Sequence, residues 1–387
     1  MKVILGCDPL LAPLTGIGNY TQQIAKGLAS SKRVDEFKLF AHGKFFSDDI
    51  YADNKVDTVS IANSSTLLAQ ARSSLAKSEL AVSVYSKVVP LIEKVKLIGY
   101  QDFVFHSPNF ILPNFSGRKI VTIHDLSTLK FPQFHPASRV KFVNAAIERA
   151  VKSAEHFITD TEFIRNELIH DFALPAEKVS AIPLAASKHY SVKSEGECTQ
   201  VLSRFDLHYR SFFLFVSTIE PRKNLMNILA AMEAYTSLNK HYLPLVIVGG
   251  KGWNSDAIHT KIERLQRKGV VRYFGYVEQH YLEVLFSSAK ALVFPSQYEG
   301  FGLPVLEAMQ SGTPVLTSCD SAMSEVVGQA GILVQHEDPN DIKQGLVKLS
   351  YDDELVTSIT HKGLHRASEF SWKKTVEKTL DVYEKRA

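Results

Sequence analysis

The sequence is short of cysteine, of long apolar runs and of charge in excess. Its 387 residues include three cysteines, Cys7, Cys198 and Cys319. Scattered, odd in number and without Cys-x-x-Cys spacing, they argue against a disulfide framework or a zinc cluster, and a reducing cytoplasm is the simplest compartment. No stretch comes near the roughly 18 uninterrupted apolar residues of a membrane-spanning helix. The opening run Lys2–Leu5 falls short of the about 7–15 apolar residues of a signal peptide. Leu5, Gly6 and Cys7 are similar to a lipoprotein cleavage site, but no targeting helix precedes them. Lys and Arg number 44 against 41 Asp and Glu, a net charge of +3, too even for a general nucleic-acid binder with its concentrated basic face. No Asp-x-Asp triplet occurs, so a metal-clamping carboxylate pair of that kind is missing.

What remains is an ordinary globular mixture, 45% hydrophobic and 22% charged. At about 150 residues per domain, the length suggests two domains or three. Short apolar runs alternate with segments of helical period. Lys2–Leu5, Phe37–Ala41, Ile120–Ile123 and His156–Thr159 are predicted strands, with helices from Asn19 to about Ser31, over Arg139–Ser153 and from Glu162. The stretch Pro183–Arg210 is mixed, polar and weakly periodic, which places the domain boundary there. A second set follows: strands Phe212–Val216, Leu245–Val248, Val270–Phe274, Ala291–Phe294 and Pro314–Leu316, with a helix from Asn224. Strands separated by helices imply parallel sheets covered on both faces. The expected fold class is therefore α/β, with two doubly wound domains facing a cleft and ligands outside the carboxyl ends of the strands.

The unusual loops all follow strands. Gly16 and Gly18 would let backbone approach a ligand at a helix start; a plain strand–helix turn has the same composition. A dinucleotide fingerprint also wants an acid after the second strand, and that strand ends in His42 and Gly43. Arg222 and Lys223 lie between a strand and a helix start, where a planar fork and a point charge would meet phosphate oxygens, or form a solvated basic turn. Glu299, Gly300, Phe301, Gly302, Leu303 and Glu307 bring two acids, a glycine pair and a helix start to one spot. Such a helix end binds phosphate, acids accept from sugar hydroxyls, and first-turn acids also serve a helix dipole. His124, at a strand end, suits a sugar or phosphate contact or a buried backbone bond. Thr161 suits a site or a helix cap.

The segment Glu299–Glu307 resembles the E-x7-E signature of family 4 glycosyltransferases, which are retaining, nucleotide-sugar-dependent enzymes with the two-Rossmann GT-B fold. Further similar segments are Glu220–Asn224, Phe274–Val277, Gly312–Val315, Gly16–Tyr20, Thr122–Leu126 and Thr159–Phe163, so the likeness covers nearly the whole chain. The end of the chain, Phe370–Tyr383, resembles a helix that crosses back to the first domain. The resemblance thus implies an acceptor domain over 1–190 joined by a crossing helix within 366–387, and a nucleotide-sugar domain over 191–365. It implies that Arg222 and Lys223 hold the donor diphosphate, that Glu299 and His124 face the donor sugar, and that Glu307 binds the ribose. Gly300, Phe301, Gly302 and Leu303 would contact sugar and phosphate through backbone amides, Tyr276 and Val277 would pack the base, Gly16 and Gly18 would lie near the diphosphate and acceptor, and Thr161 matches a position usually filled by serine. Asp160 departs from the apolar residue expected there and stays outside the implied site.

The region Thr122–Phe163, with Phe131, Pro132, His135 and Pro136, most resembles bacterial mannosyltransferases of polysaccharide and O-antigen assembly. The expectation is α-mannosyl transfer from GDP-mannose, without a metal or other cofactor, to a lipid-linked or growing glycan at the inner face of the cytoplasmic membrane. The segment Ser86–Lys96, apolar with interleaved lysines, would make a peripheral membrane contact; an ordinary amphipathic element shows the same pattern. Three other readings stand beside this one. A UDP-hexose-dependent transferase keeps the fold and mechanism. A noncatalytic nucleotide-sugar-binding protein would bind donor and transfer nothing. An NAD-type dehydrogenase leaves Arg222, Lys223, Glu299 and Glu307 unexplained.

Overall fold

The computed structural model describes residues 1–11, 16–52, 92–238 and 242–385. Thr15, from the first glycine loop, and residues 86–91 of the candidate membrane segment lie outside them. Two sheets form. The first holds β1 (Lys2–Gly6), β2 (Glu36–Ala41), β3 (Lys44–Phe46), β4 (Val104–Ser107), β5 (Arg118–Thr122), β6 (His156–Thr159) and β7 (Val179–Ala181), in the order β3-β2-β1-β4-β5-β6-β7. The second holds β8 (Phe213–Val216), β9 (Leu245–Val248), β10 (Val271–Gly275), β11 (Ala291–Phe294), β12 (Val315–Ser318) and β13 (Ile332–Val334), in the order β10-β9-β8-β11-β12-β13. All pairings are parallel except β2 with β3. Every residue of β9, β11 and β12 is buried, as expected of strands covered on both faces.

The strand orders locate the chemistry. Each sheet reverses direction once, between β1 and β4 in the first and between β8 and β11 in the second. Ligands of doubly wound sheets bind at such switch points. The loops leaving β8 and β11 carry Arg222, Lys223 and Glu299 through Gly302, and the chain leaving β1 leads to Gly16.

Several elements differ from the sequence expectation. Strand β4 lacks an apolar run, because its second half is His106 and Ser107. His106 is buried in the sheet, with Nδ1 on the Tyr383 hydroxyl at 2.6 Å and Nε2 on Thr122 at 2.9 Å. Burial pushes this imidazole down to about 3, so it is neutral and satisfied. β3 forms because His42 and Gly43, at φ 49° and 75°, make a two-residue hairpin turn of the kind that requires positive φ. Short β7 and β13 also escaped notice. The weakly periodic boundary stretch contains the helix Glu195–Arg204, and its start was signalled by a capping box: the Ser194 backbone N–H donates to Glu197 while the Ser194 hydroxyl accepts from the Glu197 N–H. The first helix begins at Gly16 rather than Asn19.

The last helix, Trp372–Glu384, lies against Gly16–Ser30. Arg33 pairs with Asp381 and Glu384 at 2.9 and 2.7 Å, and the Thr375 hydroxyl donates to the Pro183 carbonyl at 2.7 Å. The close approach depends on Gly27, where a Cβ would stand 2.3 Å from a Val376 methyl. Gly27→Ala is therefore expected to destabilise the protein by about 1–2 kcal/mol through overpacking, although alanine is the better helix former by about 1 kcal/mol. Adding Val376→Ala should recover part of the loss in a thermal melt; a Gly27→Ala protein as stable as the parent would contradict the contact.

Candidate active site

Arg222 and Lys223 sit on a single 3₁₀ turn, Pro221–Lys223, that ends at Asn224 in the left-handed region with φ 63°. The turn is held by the Asn224 side-chain amide, which donates to the carbonyls of Pro295 and His336 at 2.9 and 2.6 Å. Both cations meet the same carboxylate. Arg222 Nη1 lies 3.1 Å from Glu299 Oε2, and Lys223 Nζ lies 2.5 Å from Glu299 Oε1. Glu220 takes the other arm of the guanidinium at 2.9 Å. Ser296 donates to Glu299 at 2.8 Å, and Arg222 also donates to the Tyr298 carbonyl. Burial alone would push the Glu299 carboxyl up, but Arg222 and Lys223 hold it below the usual range. Asp125 is likewise held down against burial, chiefly by Arg222. For Lys223, burial and the neighbouring guanidinium outweigh Glu299 and lower the ammonium.

Opposite these residues stands His124. Its Nε2 faces the Pro108 carbonyl at 3.0 Å, which can only accept, and its Nδ1 faces Asp160 Oδ2 at 2.7 Å. Burial opposes charge on the ring, but Asp160 more than offsets it and raises the imidazole above its ordinary value. Both ring nitrogens are thus engaged within their own half of the molecule. Asp160, excluded on sequence grounds, is the partner that orients the ring; a charged residue at a strand end beside a histidine-bearing strand end was the available signal.

The glycine loop closes onto this half. A Cβ at Gly300 would stand 1.8 Å from the His124 carbonyl oxygen, so only glycine permits the approach. The Thr161 hydroxyl donates to the Gly300 carbonyl at 3.0 Å and accepts from the Ile164 N–H as the cap of helix Glu162–Phe172. The next amides of that helix, at Glu162 and Phe163, both donate to the Glu325 carboxylate at 2.9 Å. Thr161 therefore serves cap and cross-cleft bridge at once, and its hydroxyl is already committed. Tyr298, which the sequence reading passed over, donates to Glu167 at 2.5 Å and accepts from the Leu126 N–H at 3.2 Å.

The remaining candidates divide. Gly302, at φ 94°, precedes helix Leu303–Gln310 without a side-chain cap, and a Cβ there would meet Met323 at 2.7 Å. Leu303 faces Gly16, whose Cβ position is 3.8 Å from a Leu303 methyl, and Gly18 is buried in the first turn of its helix. Phe301 is a packing residue, its ring edge-on to Phe370 at 5.9 Å. Val277 is buried and Tyr276 is 83% exposed, an open ring beside the site. Glu307 lies in the second turn of its helix rather than the first, so a dipole role is weaker than expected. It stands apart from Glu299, with the Tyr190 hydroxyl as its partner, and burial pushes its carboxyl up to about 7. Among the described residues, no group of three or more His, Cys, Asp or Glu is arranged to hold a metal ion.

Residues 207–366 match the family model described as glycosyl transferases group 1. The chain is 36% identical to O-antigen chain mannosyltransferase B of Escherichia coli over 384 residues, covering 99% of each chain. It is 26% identical to the O-antigen chain mannosyltransferase RfbU of Salmonella typhimurium over 221 residues, covering 56% of this chain and 57% of that one. Among solved structures, WaaG, a glycosyltransferase involved in lipopolysaccharide biosynthesis, superposes with a TM-score of 0.70 over all of both chains at 15% identity. The fold is GT-B.

The Glu307 carboxyl makes a testable conflict. An unfolded glutamate titrates near about 4.3, so between there and about 7 the folded chain holds a proton that the unfolded chain has lost. Stability therefore falls as pH rises through that window. Glu307→Gln should melt with the parent near pH 5 and above it at pH 8.5, by about 1–3 kcal/mol; an equal difference at both pH values would contradict the buried carboxyl.

Proposed function

The chain belongs to the group 1 glycosyltransferases, and from that membership we propose that it transfers α-mannose from GDP-mannose to a growing, lipid-linked O-antigen chain. The observation that carries the mannosyl reading is the 36% identity to an O-antigen chain mannosyltransferase across 99% of both chains. The site chemistry is compatible with it. As the glycosidic bond breaks, the leaving nucleoside diphosphate gains negative charge. Arg222 and Lys223 are placed to stabilise that charge where it develops, and in this reading they do so without a metal.

In the structure, Glu299 holds both cations. A diphosphate arriving there competes with that carboxylate for the same donors. Donor binding then frees Glu299 toward the sugar as phosphate oxygens take over Arg222 and Lys223. Glu299 and Glu307 do not form the close carboxyl pair of a retaining glycosidase, since one lies among cations and the other beside Tyr190. Retention in this reading proceeds by attack on the leaving-group face. The acceptor oxygen bonds to the anomeric carbon as the bond to phosphate breaks, and the acceptor proton passes to a donor phosphate oxygen. Glu307 binds the ribose hydroxyls.

No helix among the described residues is long and apolar enough to cross a membrane. Ile92, Val95 and Ile98 are exposed near Lys94 and Lys96. This supports a peripheral contact with the cytoplasmic membrane face, where a lipid-linked acceptor would be presented.

The experiment is a thermal-shift series with GDP, UDP, ADP and their sugar conjugates in the presence of a chelator, followed by transfer from the stabilising donor to lipid-linked acceptor and assignment of the product's anomeric configuration. A ligand at 100 times its dissociation constant adds about 2.7 kcal/mol. Stabilisation by GDP and GDP-mannose with an α-linked product is expected; stabilisation by uridine compounds alone discards the mannosyl donor. Arg222→Ala should lower kcat about 100-fold or more, and unchanged kinetics would remove the phosphate assignment. Glu299→Gln should bind nucleoside diphosphate at least as tightly as the parent while turnover falls; weaker diphosphate binding would contradict the competition.

A further inference from the structure

The segment after Leu126 packs against the loop that carries Glu299. Phe131 packs on Tyr298 with ring centroids 5.2 Å apart. The Trp253 indole N–H, from the loop after β9, donates to the Phe134 carbonyl at 2.5 Å. The Arg139 guanidinium lies 5.6 Å from the Trp253 ring centre. His135 lies against the same Trp253 ring. It precedes Pro136, which favours extended backbone in the residue before it, and His135 has φ −117° and ψ 152°. Its ring is thus aimed by the chain itself and supported by Trp253 at 5.9 Å.

His135 is 7% exposed, and neither ring nitrogen has a hydrogen-bond partner among the described residues. Buried polar groups are normally paired, and leaving both nitrogens of an imidazole bare is costly. The charges acting on the ring are those of Arg222, Arg139, Asp125 and Lys223. Arg222 and Lys223, the cations assigned to the donor diphosphate, are therefore within electrostatic reach of this ring, which is carried by the opposite half of the molecule. Burial, then Arg222 and Arg139, pushes the imidazole below its ordinary value and keeps it neutral. A neutral imidazole has one N–H and one lone pair. Phosphate oxygens only accept and already face two cations. Sugar hydroxyls both donate and accept, which matches the ring.

Resting on the nucleotide-sugar reading above, we propose that His135 contacts the transferred sugar, pairing its two ring nitrogens with hydroxyl groups of the hexose and so setting donor selectivity. His135→Phe keeps a ring against Trp253 and removes both polar atoms; His135→Ala is carried beside it, so that one misfolding variant leaves the other to read. Calorimetric titration with GDP and with GDP-mannose separates the two parts of the donor. The expected result is a loss of about tenfold or more in affinity for the nucleotide sugar, with affinity for GDP within about twofold of the parent. His135→Gln, whose amide also donates and accepts, should recover part of the loss. Equal losses for both ligands would make His135 a structural residue, and no loss for either would remove the contact; both outcomes overturn the proposal. A parent protein that binds uridine compounds instead is tested with UDP and its hexose conjugate by the same comparison. A parent that binds no nucleotide brings down the function reading itself, and this inference with it.

Discussion

Two cations buried side by side are unstable without counter-charge, and much of this molecule's centre is arranged around that constraint. The Arg222 and Lys223 side chains are 11% and 12% exposed. Removing a single charge from water costs several kcal/mol even after relaxation. Glu299 and Glu220 supply direct carboxylate partners, and Asp125 adds a third negative charge from the opposite half. The group is held with almost no freedom: Asn224 pins the turn to the ends of two strands, and Ser296 fixes the shared carboxylate. A site of this kind is pre-organised for an anion, because an anion is already there in the form of Glu299. The exchange of one anion for another keeps the charge balance of the buried cluster closer to level than the arrival of a diphosphate among unpaired cations would.

The fold was largely legible because parallel strands covered on both faces are apolar throughout, and Leu245–Val248 and Ala291–Phe294 stand out by composition alone. The elements that escaped are those in which polar residues do structural work. His106 in β4 is a sheet residue only because Tyr383 and Thr122, distant in sequence, satisfy it. Helix Glu195–Arg204 is amphipathic and brief, and its clearest mark is a cap rather than a periodicity.

The candidate site was legible as a set of loops but not as a set of partnerships. Loop composition brought out Arg222, Lys223, Glu299 and the glycines, since phosphate chemistry demands those residue types. It could not show that one carboxylate serves both cations, that Asp160 rather than solvent faces His124, or that Thr161 is spent on the Gly300 carbonyl. Each of these depends on residues from two strand ends whose distance in space is set by sheet order and by the approach of the two halves. Tyr298 was missed for the same reason: beside Glu299 it reads as filler, and only Glu167, 131 residues away, reveals its hydroxyl as a clasp.

The clasp and the glycine loop are one piece of chain. Tyr298 reaches Glu167 and the Leu126 amide, Gly300 touches the His124 backbone and Thr161, and Glu299 between them holds the cations. Glu299 therefore lies between two residues that join the halves, and in the proposed reading it is also the carboxylate that a donor phosphate would displace. Ligands shift conformations only through a difference in affinity between them. In this structure Asp125, from the first half, adds its charge to the cation cluster of the second. Closure that sequesters a reacting centre is a common element of catalysis. In this chain the coupling is short: a single residue on either side of Glu299 connects the charge balance of the site to the contact between the halves.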